Sequence, residues 1–450
     1  MVSPTAMVSR RRFLTAAAGA ATLSLAGCLD GPSPPVADAR GSFAVPAGDG
    51  HVHLHASANP VVAGTTALRA ARRTVAYLGG TPRWVAGVPD GNASLWAVVL
   101  DDESVLGFRV TDDGVERVPA SPSRLQYGTL PVVSGDASGV ELRTDPWTTD
   151  HSHPVRVGDA VATVLGDGRV SVRRGDDRRL ADVDALPDAR PVAADGRVAV
   201  LAGRTTDYPH GALGDDVEAE SVALVSAAGE EVARLTPPGA DAVLEGTGPI
   251  AADVDGDGEA EFVTTAADAA DGARIVALDA SGDHRVGPAV GDGFRWRHPL
   301  AVAPFGPNGE LEIAAVKTPH VGGVAEFYRP DSADDGLELV AESAGGYGTH
   351  AFGSRNLGGA VAGRLAGDDR WCLLVPAGFG GDLTVLRRTR DGVESVGAVS
   401  PLAARTTNLA AVGVSGGDDA GDDDGGDADG AGGDVHLVVG TDDGLAVWTG

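Results

Sequence analysis

Between Ala252 and Val263, Asp253, Asp255, Asp257 and Glu261 stand at alternate or every-fourth positions, with Gly258 where a sharp bend is needed. A tightly wound loop with that spacing turns all four carboxylates inward, and the backbone carbonyl of Glu259 adds a further oxygen. An all-oxygen ligand set of this kind suits a hard cation, and calcium is the one expected. An EF-hand begins the same way but needs a bidentate Glu at its twelfth position and a helix on each side. Here the twelfth residue is Thr264, and the chain runs on through the β-rich Phe262-Val263-Thr264-Thr265. The loop therefore leads into a strand.

An Asp-x-Asp-Gly-Asp-Gly-x-x-Glu run entering a strand resembles the FG-GAP or VCBS type of repeat, and that resemblance implies a β-propeller. Weaker copies follow. Gly306–Ile313 aligns without a gap at an offset of 51 residues, from Glu261 to Glu312, with Pro304 and Gly306 in place of the first two Asp residues. Arg364–Val375 aligns at an offset of 111 and keeps Asp368. Only the first loop is expected to hold metal. Each loop is followed by a second apolar run, at 274–278, 324–328 and 383–386, closed by polar turns as hairpins require. Spacing of this order fits propeller blades of four strands each. The expected fold is all-β, a propeller of about seven four-stranded blades occupying 49–450. Strands near 435–439 and 445–448 should complete a blade with strands from the other end of the chain and so remove free edges.

At the N-terminus, Ser9-Arg10-Arg11-Arg12-Phe13-Leu14 precedes an apolar run too short to span a membrane. The pattern is that of a twin-arginine export signal over 1–27. Leu25-Ala26-Gly27-Cys28 resembles a lipobox, which implies lipidation of Cys28 and anchoring to the outer face of the membrane. An ordinary cleaved signal with an incidental cysteine is the alternative. Residues 28–48, with four prolines among small and polar residues, read as a tether. The only other cysteine, Cys372, sits in an apolar strand and reads as a buried structural thiol.

Acidic residues number 64 against 35 basic ones, giving a net charge of −29, and Lys317 is the only lysine. Molar salt would screen such a surface, and the bias resembles that of proteins from extreme halophiles. It argues against a nucleic-acid partner, which demands concentrated positive charge. A monomer is expected. The run 416–434 is Asp, Gly and Ala with a single Ser at its start flank, and reads as an acidic disordered loop.

Histidines supply the remaining chemistry. His51, His53 and His55 would share one face of a strand, either as a metal set or as a solvated edge. His153, Arg190, His298 and His350 precede apolar words that open successive repeats. If first strands line a central channel, these residues ring its mouth. His210, Arg295, Arg297, His298, His320, His350, Arg355 and Asn356 are the candidate pocket residues, the alternative being that they cap strands between blades. The words around His210, Phe294–His298, Thr318–Gly323 and Gly353–Leu357 are similar to those of exported VCBS-repeat proteins, a group whose resemblance implies the fold and a calcium loop but no reaction. The functional expectation is a lipid-anchored, calcium-stabilised binding or scaffolding module outside the cytoplasm, meeting a surface glycan or protein. The alternative is a polysaccharide lyase or hydrolase with a His/Arg site at the channel mouth.

Overall fold

Short runs rich in valine, alanine and leucine, punctuated by Asp-Gly and similar turns, fold as mostly antiparallel strands. The computed structural model describes residues 58–126, 130–143, 147–149, 151–291, 293–331, 336–349, 351–378, 381–415 and 433–450. The export signal, the tether, Cys28, His51, His53, His55, His350 and residues 416–432 of the acidic run lie outside the described residues. Among those described, the only helix is a single 3-10 turn at Leu68–Ala70.

Consecutive strands pair into meanders. The first is Pro82–Asp90, Ala93–Leu100, Val105–Thr111 and Gly114–Val118. Others start at Val155, Arg297 and Val361, and each holds four antiparallel strands. One eight-stranded sheet contains two such meanders, starting at Val192 and Val243, joined by the single pairing of Ala219 with Leu244. The regular pattern breaks where Val132–Asp136 and Gly139–Arg143 form a hairpin joined by the parallel strand Ala120–Ser121, and where Val61–Thr65 adds in parallel to Val361–Arg364. The last sheet, Arg405–Val414, Asp434–Thr441 and Gly444–Thr449, takes its outermost strand from near the other end of the chain: Arg72–Ala76 pairs with Gly444–Thr449. A free edge is thereby covered.

Burial follows position in the meander. Ala93–Leu100 is buried along its whole length, whereas the outer strand Asp177–Asp182 is mostly exposed. Inner strands are covered on both faces, so they read as continuous apolar runs. The cover is the next sheet: residues 250–277 pack on 302–337, 300–327 on 360–386, and 361–399 on 409–448. The last sheet packs in turn on the first, with Val412, Val438 and Val447 against Val85, Trp96 and Val98. Four-stranded meanders stacked face to face, the last against the first, are the arrangement of a β-propeller. Truncating a fully buried aromatic such as Trp96 in one of these seams should cost about 3–5 kcal/mol.

Candidate functional site

The acidic loop joins the strands Val243–Ala252 and Glu261–Ala267. Asp253 winds it by accepting the Gly256 N–H at 2.6 Å on Oδ1 and the Gly258 N–H at 3.1 Å on Oδ2. Both glycines have positive φ, 84° and 92°, which L side chains rarely adopt. Asp255 Oδ1 accepts the Asp257 N–H and Asp257 Oδ1 the Glu259 N–H, at 3.3 and 2.8 Å. Asp195, in a turn of the preceding meander, clamps the loop by accepting the Ala260 N–H at 2.8 Å.

Ligand atoms of Asp253, Asp255 and Glu261 lie within 4.8 Å of one another. Asp257 and Glu259 are exposed and stand outside that group. Glu261 begins its strand and is buried; its Oε2 accepts the Val254 N–H at 2.6 Å, while Oε1 is buried without a hydrogen-bond partner. Burial, and then the charges of Asp255, Asp257 and Asp253, push its pKa up to about 7, against the pull of the Val254 N–H. Three carboxylates with ligand atoms this close, one of them buried, suit a divalent cation, since oxygen donors of this kind are what calcium takes.

The expected pocket residues and their neighbours form two groups. A small cavity of about 60 Å³ is lined by His153 and Val155, Arg190–Ala193, Thr247–Ile250 and His298–Leu300, at the starts of four successive meanders. His153 and His298 therefore share one space. His298 Nδ1 lies 2.9 Å from Thr349 Oγ1, and its ring stacks on Trp296 with centroids 5.0 Å apart.

The second group gathers on the loop 206–217. His210 Nδ1 hydrogen-bonds Glu245 Oε1, and its ring stacks on Phe294 at 5.6 Å and meets His320 edge-on at 6.2 Å. Phe294 and Phe352 are exposed, the latter 5.6 Å from His320. Beneath them Glu245 Oε2 and the Tyr208 hydroxyl are buried without hydrogen-bond partners. Burial and the neighbouring Glu245 raise the pKa of Glu218; burial raises that of Glu245, against the attraction of His210. Burial, followed by the positive field of His210, lowers the pKa of His320.

Other expected pocket residues serve the fold instead. Arg297 is buried and donates from Nε to Glu326 Oε2 at 2.8 Å and from Nη1 to the Ala273 carbonyl at 2.9 Å. It has no face left for a ligand, because a buried carboxylate must be paired. Arg355 donates from Nε to Asp188 at 2.8 Å and from Nη2 to Asp215. Asn356 turns the chain by accepting the Gly358 N–H at 3.2 Å. Arg295 is exposed. Inter-sheet capping is performed by other side chains: Asn408 exchanges two hydrogen bonds with the Val85 backbone, and Asn59 two with Val302.

Tyr208, Glu218, Glu245, Phe294 and Phe352 were not expected as site residues. Glu245 carried a signal, a lone carboxylate within Ala-Val-Leu-Glu-Gly, since a charge in an apolar strand is seldom buried without purpose.

No family model matches the chain. One curated sequence, UDP-N-acetylmuramoylalanine--D-glutamate ligase of Pseudomonas savastanoi pv. phaseolicola, is 38% identical over 120 residues. That match spans 24% of this chain and 26% of the ligase. Among solved structures, the chain is similar to BamB from Moraxella catarrhalis at 10% identity and a TM-score of 0.39, covering 83% of this chain and 93% of that one. It is similar to the WD40 β-propeller domain of Doa1 at 12% identity and 0.38, covering 85% and 96%. For quinohemoprotein alcohol dehydrogenase from Comamonas testosteroni the values are 11% and 0.47, covering 84% and 76%. Scores of this size add no residue-level reading, and the fold rests on the strand pairing and sheet packing.

Proposed function

We propose that the chain is an extracytoplasmic, lipid-anchored β-propeller of the FG-GAP/VCBS type, of about seven blades, that acts as a calcium-stabilised binding or scaffolding module. The observation that carries the calcium reading is the convergence of Asp253, Asp255 and the buried Glu261, whose Oε1 has no hydrogen-bond partner among the described residues. Those three side chains would hold the ion, with Asp257 and the Glu259 carbonyl as the further ligands the loop can offer. The ion would supply positive charge to a carboxylate cluster that otherwise repels itself, and so tie a blade-top loop to its strand. Anchoring rests on the Cys28 lipobox and the twin-arginine word, and the acidic surface suits a salt-rich exterior.

A cation that binds only the folded form adds about 2.7 kcal/mol at a hundredfold excess over its Kd. Calcium titration with thermal unfolding checks this. Wild type should gain stability and bind one ion at this loop; Asp253→Asn with Asp255→Asn should do neither. A double variant with unchanged calcium stoichiometry would sink the assignment.

A second reading, cleavage of an extracellular polysaccharide, is favoured by the His210–Glu245–Glu218 cluster beneath exposed Phe294 and Phe352. Aromatic faces can carry sugar rings, and two carboxylates of raised pKa beside a histidine can exchange protons with a substrate. Release of reducing or unsaturated ends from acidic and neutral glycans, lost in Glu245→Gln, would establish it.

A further inference from the structure

The cavity at the starts of the four meanders is chemically unlike the rest of the molecule. In a chain with 64 acidic residues against 35 basic, its lining holds Arg190, His153 and His298 and no carboxylate. Its other lining is proline, small apolar residues and Thr247.

Arg190 is buried, and only part of its hydrogen-bonding capacity is used. Nε donates to the His151 carbonyl at 3.0 Å and Nη2 to the Arg355 carbonyl at 2.6 Å, while Nη1 is buried with no partner among the described residues. Both acceptors are neutral. Asp188 acts on Arg190 electrostatically without a hydrogen bond to it, and its carboxylate already receives Arg355 Nε at 2.8 Å. A guanidinium remains protonated in proteins, and here burial lowers its pKa only to about 10. A buried cation is stable when it is paired. The cavity beside it has room for several water-sized groups, since one needs about 10–15 Å³.

We propose that this cavity binds a small anion, with Arg190 as its charge partner and His153 and His298 as its walls. The chemistry is that of a halide or of a carboxylate group no larger than acetate. A free inorganic ion and the acidic group of a larger ligand would both satisfy it. The site is independent of the acidic loop and of the cluster around His210.

The test uses the full chain, prepared in a salt free of halide and carboxylate. Bromide is the first probe, followed by anomalous diffraction and by the line width of bromide in solution. A peak beside Arg190 Nη1 is expected, with solution broadening that saturates. Arg190→Met should weaken bromide binding at least about tenfold, one 1.4 kcal/mol step, and Arg190→Lys should retain it to within a few-fold. Displacement of bromide by acetate would mark a carboxylate-sized site; persistence against acetate would confine it to halide, and either supports the proposal. No peak beside Arg190 in wild-type crystals, or broadening unchanged in Arg190→Met, overturns it. The wild-type diffraction arm and the lysine variant decide the matter even if Arg190→Met does not fold.

Discussion

Two loops of the molecule occupy the same place in neighbouring sheets and end on the same residue type, yet their carboxylates meet opposite surroundings. Glu261 and Glu312 each begin the second strand of a meander, and each is buried. Glu312 accepts Arg329 Nη2 on Oε1 at 2.6 Å and Arg388 Nε on Oε2 at 3.1 Å. Glu261 faces Asp253 and Asp255 and keeps one oxygen without a partner. In the third copy the equivalent position is Cys372, a buried thiol raised in pKa by burial, and Asp368 accepts Arg387 Nη2 at 2.7 Å. The position is filled by a carboxylate paired with two guanidinium groups, by an uncharged thiol, or by a carboxylate beside two others, the arrangement we propose for calcium.

The largest effect that would sharpen the comparison is at Glu312. Glu312→Gln leaves Arg388, itself buried, without its counter-charge, and should destabilise by about 3–5 kcal/mol with or without calcium. Chemical denaturation in chelator measures it. The same substitution at Glu261 should behave differently. In chelator Glu261→Gln should not destabilise, and should gain stability over wild type as pH rises through about 7, because the amide oxygen still accepts the Val254 N–H and a poorly solvated charge is removed. In excess calcium it should forfeit the ion's contribution, about 2.7 kcal/mol at a hundredfold excess. Equal losses at 261 and 312 in chelator would break the comparison.

A smaller effect is expected away from the loops. Glu218 has its folded pKa raised by burial and by Glu245, so the folded state holds a proton that the unfolded state releases. Its contribution to stability is fully present below the unfolded carboxylate pKa and is lost as pH rises toward the folded value. Glu218→Gln should therefore be more stable than wild type at pH 8 by at least about 1.4 kcal/mol, one pKa unit's equivalent, and the gap should close toward pH 4. A gap that widens on acidification would show that Glu218 is stabilised as the anion. The smallest effect is at Arg285, which donates to Asp255 Oδ2 at 3.2 Å in a partly exposed pair. Arg285→Ala should cost less than about 1 kcal/mol and tighten calcium binding slightly, because it frees that oxygen.

How far the candidate sites were legible depended on the reach of the interactions that make them. The acidic loop is local: Asp253 to Glu261 are nine consecutive residues, and their hydrogen bonds to Gly256, Gly258 and Val254 span a few positions. Their spacing already encoded a winding loop. Asp257, expected among the ligands from the same spacing, accepts the Glu259 N–H within the loop, and the side-chain group that converges is Asp253, Asp255 and Glu261. The arginines were not legible in this way. Arg297 finds Glu326 across two strands, and Arg355 finds Asp188 from 167 residues away. Sequence can propose such residues for a pocket but not name the carboxylates that occupy them. The pairing of His210 with Glu245, and the exposed rings above them, likewise depend on a long loop meeting two other segments.

By itself the sequence determined the strand positions, through apolar runs and turn residues, and the acidic loop, through carboxylate spacing. These are properties of a few neighbouring residues, which backbone geometry turns into structure almost directly. Tertiary structure alone decided the fate of each buried charge: Glu312 beside two guanidinium groups, Glu261 beside two carboxylates, and Arg190 beside a cavity without any. The physical reason is that a buried charge is governed by whatever side chain lies within a few ångströms, and in stacked sheets that neighbour comes from a distant part of the chain.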